Sequence, residues 1–140
     1  VFSENYDPSL PHAQGDPDTL MQALLNLIRN AQDALCDTEK PEIKLENTFR
    51  TGVTSRSDNV DEPRNLPIQI SVTDNGPGIS DDLQDHIFQP FVSTKPDGQG
   101  LGLALVSKVA KAHGGLVEVR SRPGKTTFSI LLPAPSGEFL

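Results

Sequence analysis

The stretch Pro67-Ile68-Gln69-Ile70-Ser71-Val72-Thr73-Asp74-Asn75-Gly76-Pro77-Gly78-Ile79 joins two kinds of pattern. Its first half alternates apolar and polar residues at period two, which predicts a half-buried strand over 67–74. Its second half is a turn, where two glycines let backbone or ligand come close. Asp74 falls at the strand exit and, by the alternation, on the face of Ile68, Ile70 and Val72. A carboxylate there is either ordinary Asp-Asn-Gly turn chemistry or an acceptor held for a ligand.

Upstream, two prolines and Gly15 interrupt the chain before Asp16, a good N-cap followed by Pro17 at the first helical position. Leu20, Leu24, Leu27, Ile28, Ala31 and Leu35 then recur at helical spacing, predicting a helix over 17–36. Asn26 and Asn30 are four residues apart on one face of it. An amide in a mostly apolar stripe costs about 1–3 kcal/mol if unsatisfied, so the pair meets a neighbouring strand, water, a metal or a ligand. Ile43, Leu45 and 47–49 read as a strand, 51–65 as a polar loop or insertion without order, and Val1 to Asn5 as another strand.

Downstream, Ser80 is placed to cap a short helix to about Phe88, with Asp81 and Asp82 in its first turn. After a loop at 89–99, a second long helix begins near Gly100, buries Leu103, Val106, Val109 and Ala110, and stops at Gly114-Gly115. Two strands, 116–121 and 126–132, form a hairpin around Arg122-Pro123-Gly124-Lys125. The expected fold class is an α+β two-layer sandwich, a mixed or antiparallel sheet with helices packed on one face. The tail 134–140 reads as disordered.

With 140 residues the chain has the size of one domain, 1–140. A formal charge of −7 leaves no global basic field for nucleic acid or an anionic membrane. A single cysteine, Cys36, forms no internal disulfide, and no stretch approaches the roughly 20 apolar residues of a spanning helix. These features fit a cytoplasmic protein. The chain begins without methionine, as an excised piece of a longer protein would.

Gly98-Gln99-Gly100-Leu101-Gly102-Leu103 opens the second long helix, so its amides and the helix N-terminus could cradle phosphate. A dinucleotide fingerprint does not fit, because no strand precedes the glycines and position 105 is Leu105. A Walker loop fails for want of Gly-Lys-Ser/Thr. His12, His86 and His113 lack metal-ligand neighbours and read as structural or solvent residues, with a protonated His113 suited to a helix C-terminus.

Taken in order, the Asn-rich helix, Asp-Asn-Gly at a strand end, Phe88-Gln89-Pro90-Phe91 and Gly-x-Gly-x-Gly resemble the ATP-binding domain of sensor histidine kinases. That domain has the Bergerat fold, shared with DNA gyrase, heat-shock-90 chaperones and mismatch-repair ATPases. The resemblance covers about residues 10–133. It implies that Asn30 coordinates Mg²⁺ and Asn26 lines the pocket, while Asp74 accepts from the adenine amine beside Gly76 and Gly78. Phe88 and Phe91 match the aromatic box. Gly98, Gly100, Leu101 and Gly102 match the phosphate loop, and Thr126 matches the threonine that closes the adenine pocket.

Tyr6-Asp7-Pro8-Ser9-Leu10-Pro11, Phe91-Val92-Ser93-Thr94-Lys95 and Pro123-Gly124-Lys125-Thr126-Thr127-Phe128 further resemble nitrogen-regulation sensor kinases. Lys95 is then either a lid cation near the terminal phosphate or a solvated loop lysine. The lid, 92–99, is expected to be mobile without nucleotide. None of the three histidines has the context of a phosphoacceptor, so the acceptor is expected on a separate dimerisation domain of the parent kinase. A response regulator would receive the phosphate, and a PII-type signal protein is the candidate regulator. An interaction module using nucleotide as a conformational ligand, or a serine kinase of the anti-sigma type, are the alternatives.

Overall fold

The computed structural model describes residues 2–7, 15–52, 54–55, 64–89 and 102–134. Its elements are β1 (Phe2–Asn5), α1 (Pro17–Ala34), β2 (Ile43–Phe49), β3 (Thr54–Ser55), β4 (Arg64–Asn65), β5 (Ile68–Asp74), α2 (Asp81–Gln84), α3 (Gly102–Ala112), β6 (Leu116–Arg122) and β7 (Lys125–Leu132). Five strands form one mixed sheet in the order β1-β2-β5-β7-β6, in which only the β1–β2 pair is parallel. Helices α1 and α3 pack on one face, as the alternation along β5 predicts.

Helix α1 starts where the sequence places it. The Asp16 carboxylate accepts from the Asp18 N–H at 3.1 Å, and Pro17 follows at the first position. Its buried stripe is narrower than the full set of leucines: Ala23, Leu27, Ala31 and Leu35 are buried, while Leu20, Leu24 and Ile28 are half-buried around them. They meet Val106, Val109 and Ala110 of α3 and the inward row Phe128, Ile130 and Leu132 of β7. Small Ala23, Ala31 and Ala110 permit close packing between the layers.

The two long helices are tied end to end by His113. Its Nε2 accepts from the Asp16 N–H at 3.1 Å, and its Nδ1 lies 2.8 Å from the Val109 carbonyl, to which it donates. The ring thus bridges the two helix ends, the structural role its sequence context suggests. A methyl group on Gly15 would lie 2.3 Å from this ring, which accounts for the glycine there. With the end of α3 fixed at the start of α1 and the two helices in extensive contact, α3 runs back along α1. Its 11 residues span about 16 Å at 1.5 Å per residue, which brings Gly102 to about the level of Asn26 and Asn30.

Three local expectations change. The segment 51–65 contains a short antiparallel pair, Thr54 opposite Asn65 and Ser55 opposite Arg64, rather than loop alone. It leads into Leu66, which is fully buried. The short helix is confined to Asp81–Gln84 and continues as turns, and Ser80 makes no side-chain capping bond. The hairpin strands extend to Arg122 and Lys125, so the turn is only Pro123-Gly124, with Gly124 at φ +88°. Positions 56–63, His12 and 135–140 lie outside the described residues.

The packing makes a contrast between neighbouring leucines testable. Leu27→Ala is expected to cost about 2–5 kcal/mol, whereas Leu25→Ala, at a side chain 45% exposed, is expected to cost less than about 1 kcal/mol. Urea denaturation of both variants measures the difference, and equal losses would contradict the assigned helix face.

Candidate functional site

Strand β5 delivers Asp74 into the interior because the register leaves no alternative. Ile68, Ile70 and Val72 face the helices, and period two carries the fourth member of that row, Asp74, to the same side, where it is 3% exposed. It lies opposite Thr126 on β7 and Ile43 on β2. Its Oδ1 accepts from the Gly76 N–H at 2.9 Å, and among the described residues this is the carboxylate's only hydrogen bond. Burial pushes the carboxyl above the ordinary aspartate range, an effect the Gly76 N–H partly offsets. The result is a buried carboxylate with acceptor capacity to spare.

The turn beyond Asp74 is shaped by close backbone approach. A Cβ on Gly76 would lie 2.9 Å from the Asp74 Oδ1 and 3.1 Å from the Ala34 carbonyl at the end of α1. Gly78 has φ +91°, and a Cβ there would lie 2.8 Å from the Arg122 carbonyl. The Gly124 N–H donates to the Gly76 carbonyl at 2.9 Å. The Ser121 hydroxyl ties the same region together, accepting from the Ile79 N–H at 2.8 Å and lying 2.7 Å from the Thr126 Oγ1. The hairpin turn and the glycine turn thus form one unit beside Asp74. Ser121 was not singled out by sequence, since a serine inside an alternating strand carries no signal of its own.

Asn26, Asn30 and Ala34 follow one another at four-residue intervals along α1, and Ala34 touches the Gly76 turn. The asparagine stripe therefore leads from the Asp74 end of the site toward the start of α3. Both asparagines are half-buried, and neither side chain bonds another described residue. The helix-to-strand bond considered for them is not formed. At the far end, the first turn of α3 contains no acidic residue, so its positive end is not neutralised from within.

Phe88 is half-buried and packs edge-on against Phe128, ring centroids 6.1 Å apart, fastening the segment after α2 to the core. Phe91, Lys95, Gly98, Gly100 and Leu101, together with the rest of 92–99, lie outside the described residues. Exposed His86 lies 3.3 Å from the Gln89 amide, and Cys36 is exposed just beyond α1.

An acid sign follows from the Asp74 burial. The folded chain holds this proton to higher pH than the unfolded chain, whose carboxyl titrates near about pH 3.9. Ionising it therefore removes stability as pH rises from there to the raised value, and the cost persists above it. Asp74→Asn keeps an acceptor for Gly76 and removes the ionisation. The nucleotide-free variant is expected to be more stable than the parent near neutral pH, with the gain vanishing as pH falls into the range where the unfolded carboxyl is protonated. Urea midpoints across that range measure it, and a variant destabilised at neutral pH would contradict the account.

Residues 15–136 match the family model described as "Histidine kinase-, DNA gyrase B-, and HSP90-like ATPase". The sensory histidine kinase/phosphatase NtrB of Rhizobium meliloti (strain 1021) is 47% identical over 136 residues, covering 97% of this chain and 36% of that protein. NtrB of Escherichia coli O157:H7 is 44% identical over 129 residues, covering 92% of this chain and 36% of that protein. The chain thus spans little more than a third of these relatives. Among solved structures, the nucleotide-free catalytic domain of histidine kinase ThkA superposes with a TM-score of 0.72 at 28% identity, covering 94% of this chain and 77% of that one. The mycobacterial sensor histidine kinase MprB gives a TM-score of 0.72 at 26% identity, covering 94% and 80%.

Proposed function

This chain belongs to the histidine kinase-, DNA gyrase B- and HSP90-like ATPase family and is the ATP-binding catalytic domain of an NtrB-like sensor histidine kinase, and we propose that it donates the ATP γ-phosphoryl group to a histidine on a separate dimerisation domain of the parent kinase. The observation that carries this reading is the buried Asp74, with one internal hydrogen bond and spare acceptor capacity, at the head of an asparagine stripe that leads to a helix N-terminus. An adenine amine satisfies the first feature, and a polyphosphate suits the last.

In this reading Asp74 accepts from the base while Thr126 closes the pocket beside it. Gly76 and Gly78 let the chain close tightly beside Asp74, where any side chain would meet the Ala34 or Arg122 carbonyl. The hydroxyl bridge from Ser121 holds Thr126 in place. Asn26 lines the middle of the site, and Asn30 presents an amide oxygen. Two half-buried amides that bond no side chain or backbone among the described residues fit Mg²⁺, which takes few protein ligands beside phosphate oxygens and water. When bound there, Mg²⁺ would neutralise charge on the phosphates. Gly102 and the amides opening α3 receive phosphate, with Gly98, Gly100, Leu101 and Lys95 assigned to the same end by the resemblance. Phe91 is assigned with them to the nucleotide site. The chain's own part is positioning and charge stabilisation, and the nucleophile comes from the partner domain.

The proposal extends to the relay. A response regulator takes the phosphoryl group from the histidine, and a PII-type signal protein is the proposed regulator, supported by the similarity to NtrB. A cytoplasmic site of action belongs to the same proposal; no helix among the described residues is long and apolar enough to cross a membrane.

Calorimetry of the 140-residue chain is expected to give Mg-dependent ATP binding. Asp74→Asn should weaken ATP by about tenfold to a hundredfold, the worth of one hydrogen bond to a charged group at about 1.5–3 kcal/mol. Asn30→Ala should abolish the affinity gained on adding Mg²⁺ while sparing Mg-free ADP binding. A folded sample that binds neither nucleotide would overturn the proposal. Supplied in trans with the dimerisation domain of an NtrB relative, the chain should phosphorylate a histidine, detected as acid-labile, base-stable label. Label stable to acid would instead indicate a hydroxyl acceptor. A pull-down with PII tests the regulator, and no dependence on this domain would remove it.

A further inference from the structure

The sheet's second face carries no helix among the described residues, yet it is not a plain solvated surface. It is an open trough of about 760 Å³. Its floor is hydroxyl: Thr73 and Thr127 lie 3.0 Å apart across β5 and β7, and the next rung, Ser71 and Ser129, is paired at 3.1 Å. Ser71 and Ser129 are 4% exposed although they point away from the core. Hydroxyls on a covered floor offer directed donors and acceptors that an alkyl floor would not.

The two ends of the trough differ in charge. At one end Arg50 pairs with Glu118 and also donates to Gln69 Oε1 at 3.0 Å, so that end is satisfied internally. At the other, Arg120, Arg122 and Lys125 have no acidic partner among the described residues. Arg120 and Arg122 alternate on the outward side of β6, roughly 7 Å apart. Lys125 lies directly opposite Arg122, and Arg120 opposite Thr127 of the floor. Among the described residues the lining carboxylates, Glu46 and Glu118, pair with Lys44 and Arg50, which leaves these three cations beside the hydroxyls in a chain whose net charge is −7.

Charges on an edge strand can serve only to discourage strand addition. That role would cover Arg120 and Arg122 on β6. It leaves Lys125 on the interior strand β7, the hydroxyl floor and the concavity without a purpose. We propose that this trough is a binding site for a small phosphate-bearing ligand, separate from the nucleotide site on the opposite face. Arginine forks grip phosphate in bidentate fashion, lysine adds a point charge, and hydroxyls fix the remaining oxygens. The volume falls in the range of about 300–1,000 Å³ typical of small-ligand sites. Because residues alternate along β7, Thr126 faces the nucleotide site while Lys125 and Thr127 face the trough. Occupancy on one side is therefore felt through one strand by the other.

The test uses the ¹⁵N-labelled chain with its nucleotide site first saturated with ADP. Inorganic pyrophosphate is then titrated in and amide shifts are followed. Saturable shifts are expected at Thr73, Arg120, Arg122, Lys125 and Thr127. The double variant Arg120→Gln/Arg122→Gln should raise the pyrophosphate Kd at least tenfold while leaving ADP affinity within twofold. Shifts that do not saturate, that sodium chloride reproduces at equal ionic strength, or that the double variant leaves unchanged would overturn the site. Shifts confined to the amides of α1 and the start of α3 would also overturn it, and failure of ADP to bind would bear on the nucleotide reading alone.

Discussion

A carboxylate driven into the interior by strand register is the constraint around which this domain is arranged. Asp74 could be exposed only by slipping β5 one residue against β2 and β7, which would also turn Ile68 and Val72 outward. The apolar row thus holds the acid in place, at the expense of keeping a charged group away from water. One backbone N–H, from Gly76, compensates part of that loss. The remaining capacity is what a ligand can use, so the least comfortable side chain in the sheet is also the one with most to gain from a bound base.

The other end of the site is set by a different device. The ring of His113 joins the start of α1 to the end of α3, which fixes how far α3 returns along α1. A shift of one turn would move the N-terminus of α3 by about 5.4 Å relative to Asn26 and Asn30. In the proposed reading, base recognition and phosphate recognition rest on separate supports, a strand register and a helix-to-helix bridge. They meet where Ala34 touches the Gly76 turn.

Much of this was legible in the residues. Period two over 68–74 and helical spacing over 20–35 located the main layers, because burial of one face imposes those periods directly. Asp74 and Thr126 face each other across β5 and β7 beside the Gly76 turn, as the strand alternation and the turn glycines suggest, while Asn26 and Asn30 share α1 and Gly102 opens α3. What escaped depends on tertiary partners. The role of His113 as a bridge could not be read from its own helix, because the Asp16 N–H it accepts from is 97 residues away in sequence. Ser80 looked like a cap, but its helix lasts one turn. The β3–β4 pair has two residues per strand, too short for any period to show.

The outward face of the sheet was illegible for a further reason. Alternation reports which residues point away from the helices, but it reads all of them as solvated. Ser71 and Ser129 contradict that, since their neighbours across four strands close over them. Whether a polar row is a surface or a floor depends on the lengths of side chains on adjacent strands, and those strands are far apart in sequence. Strand β7 is the clearest case, with Thr126 beside the buried acid and Thr127 beside Thr73 on the other side. Two adjacent threonines of the same chemistry thus face opposite sides of the sheet, and the pleat alone separates them.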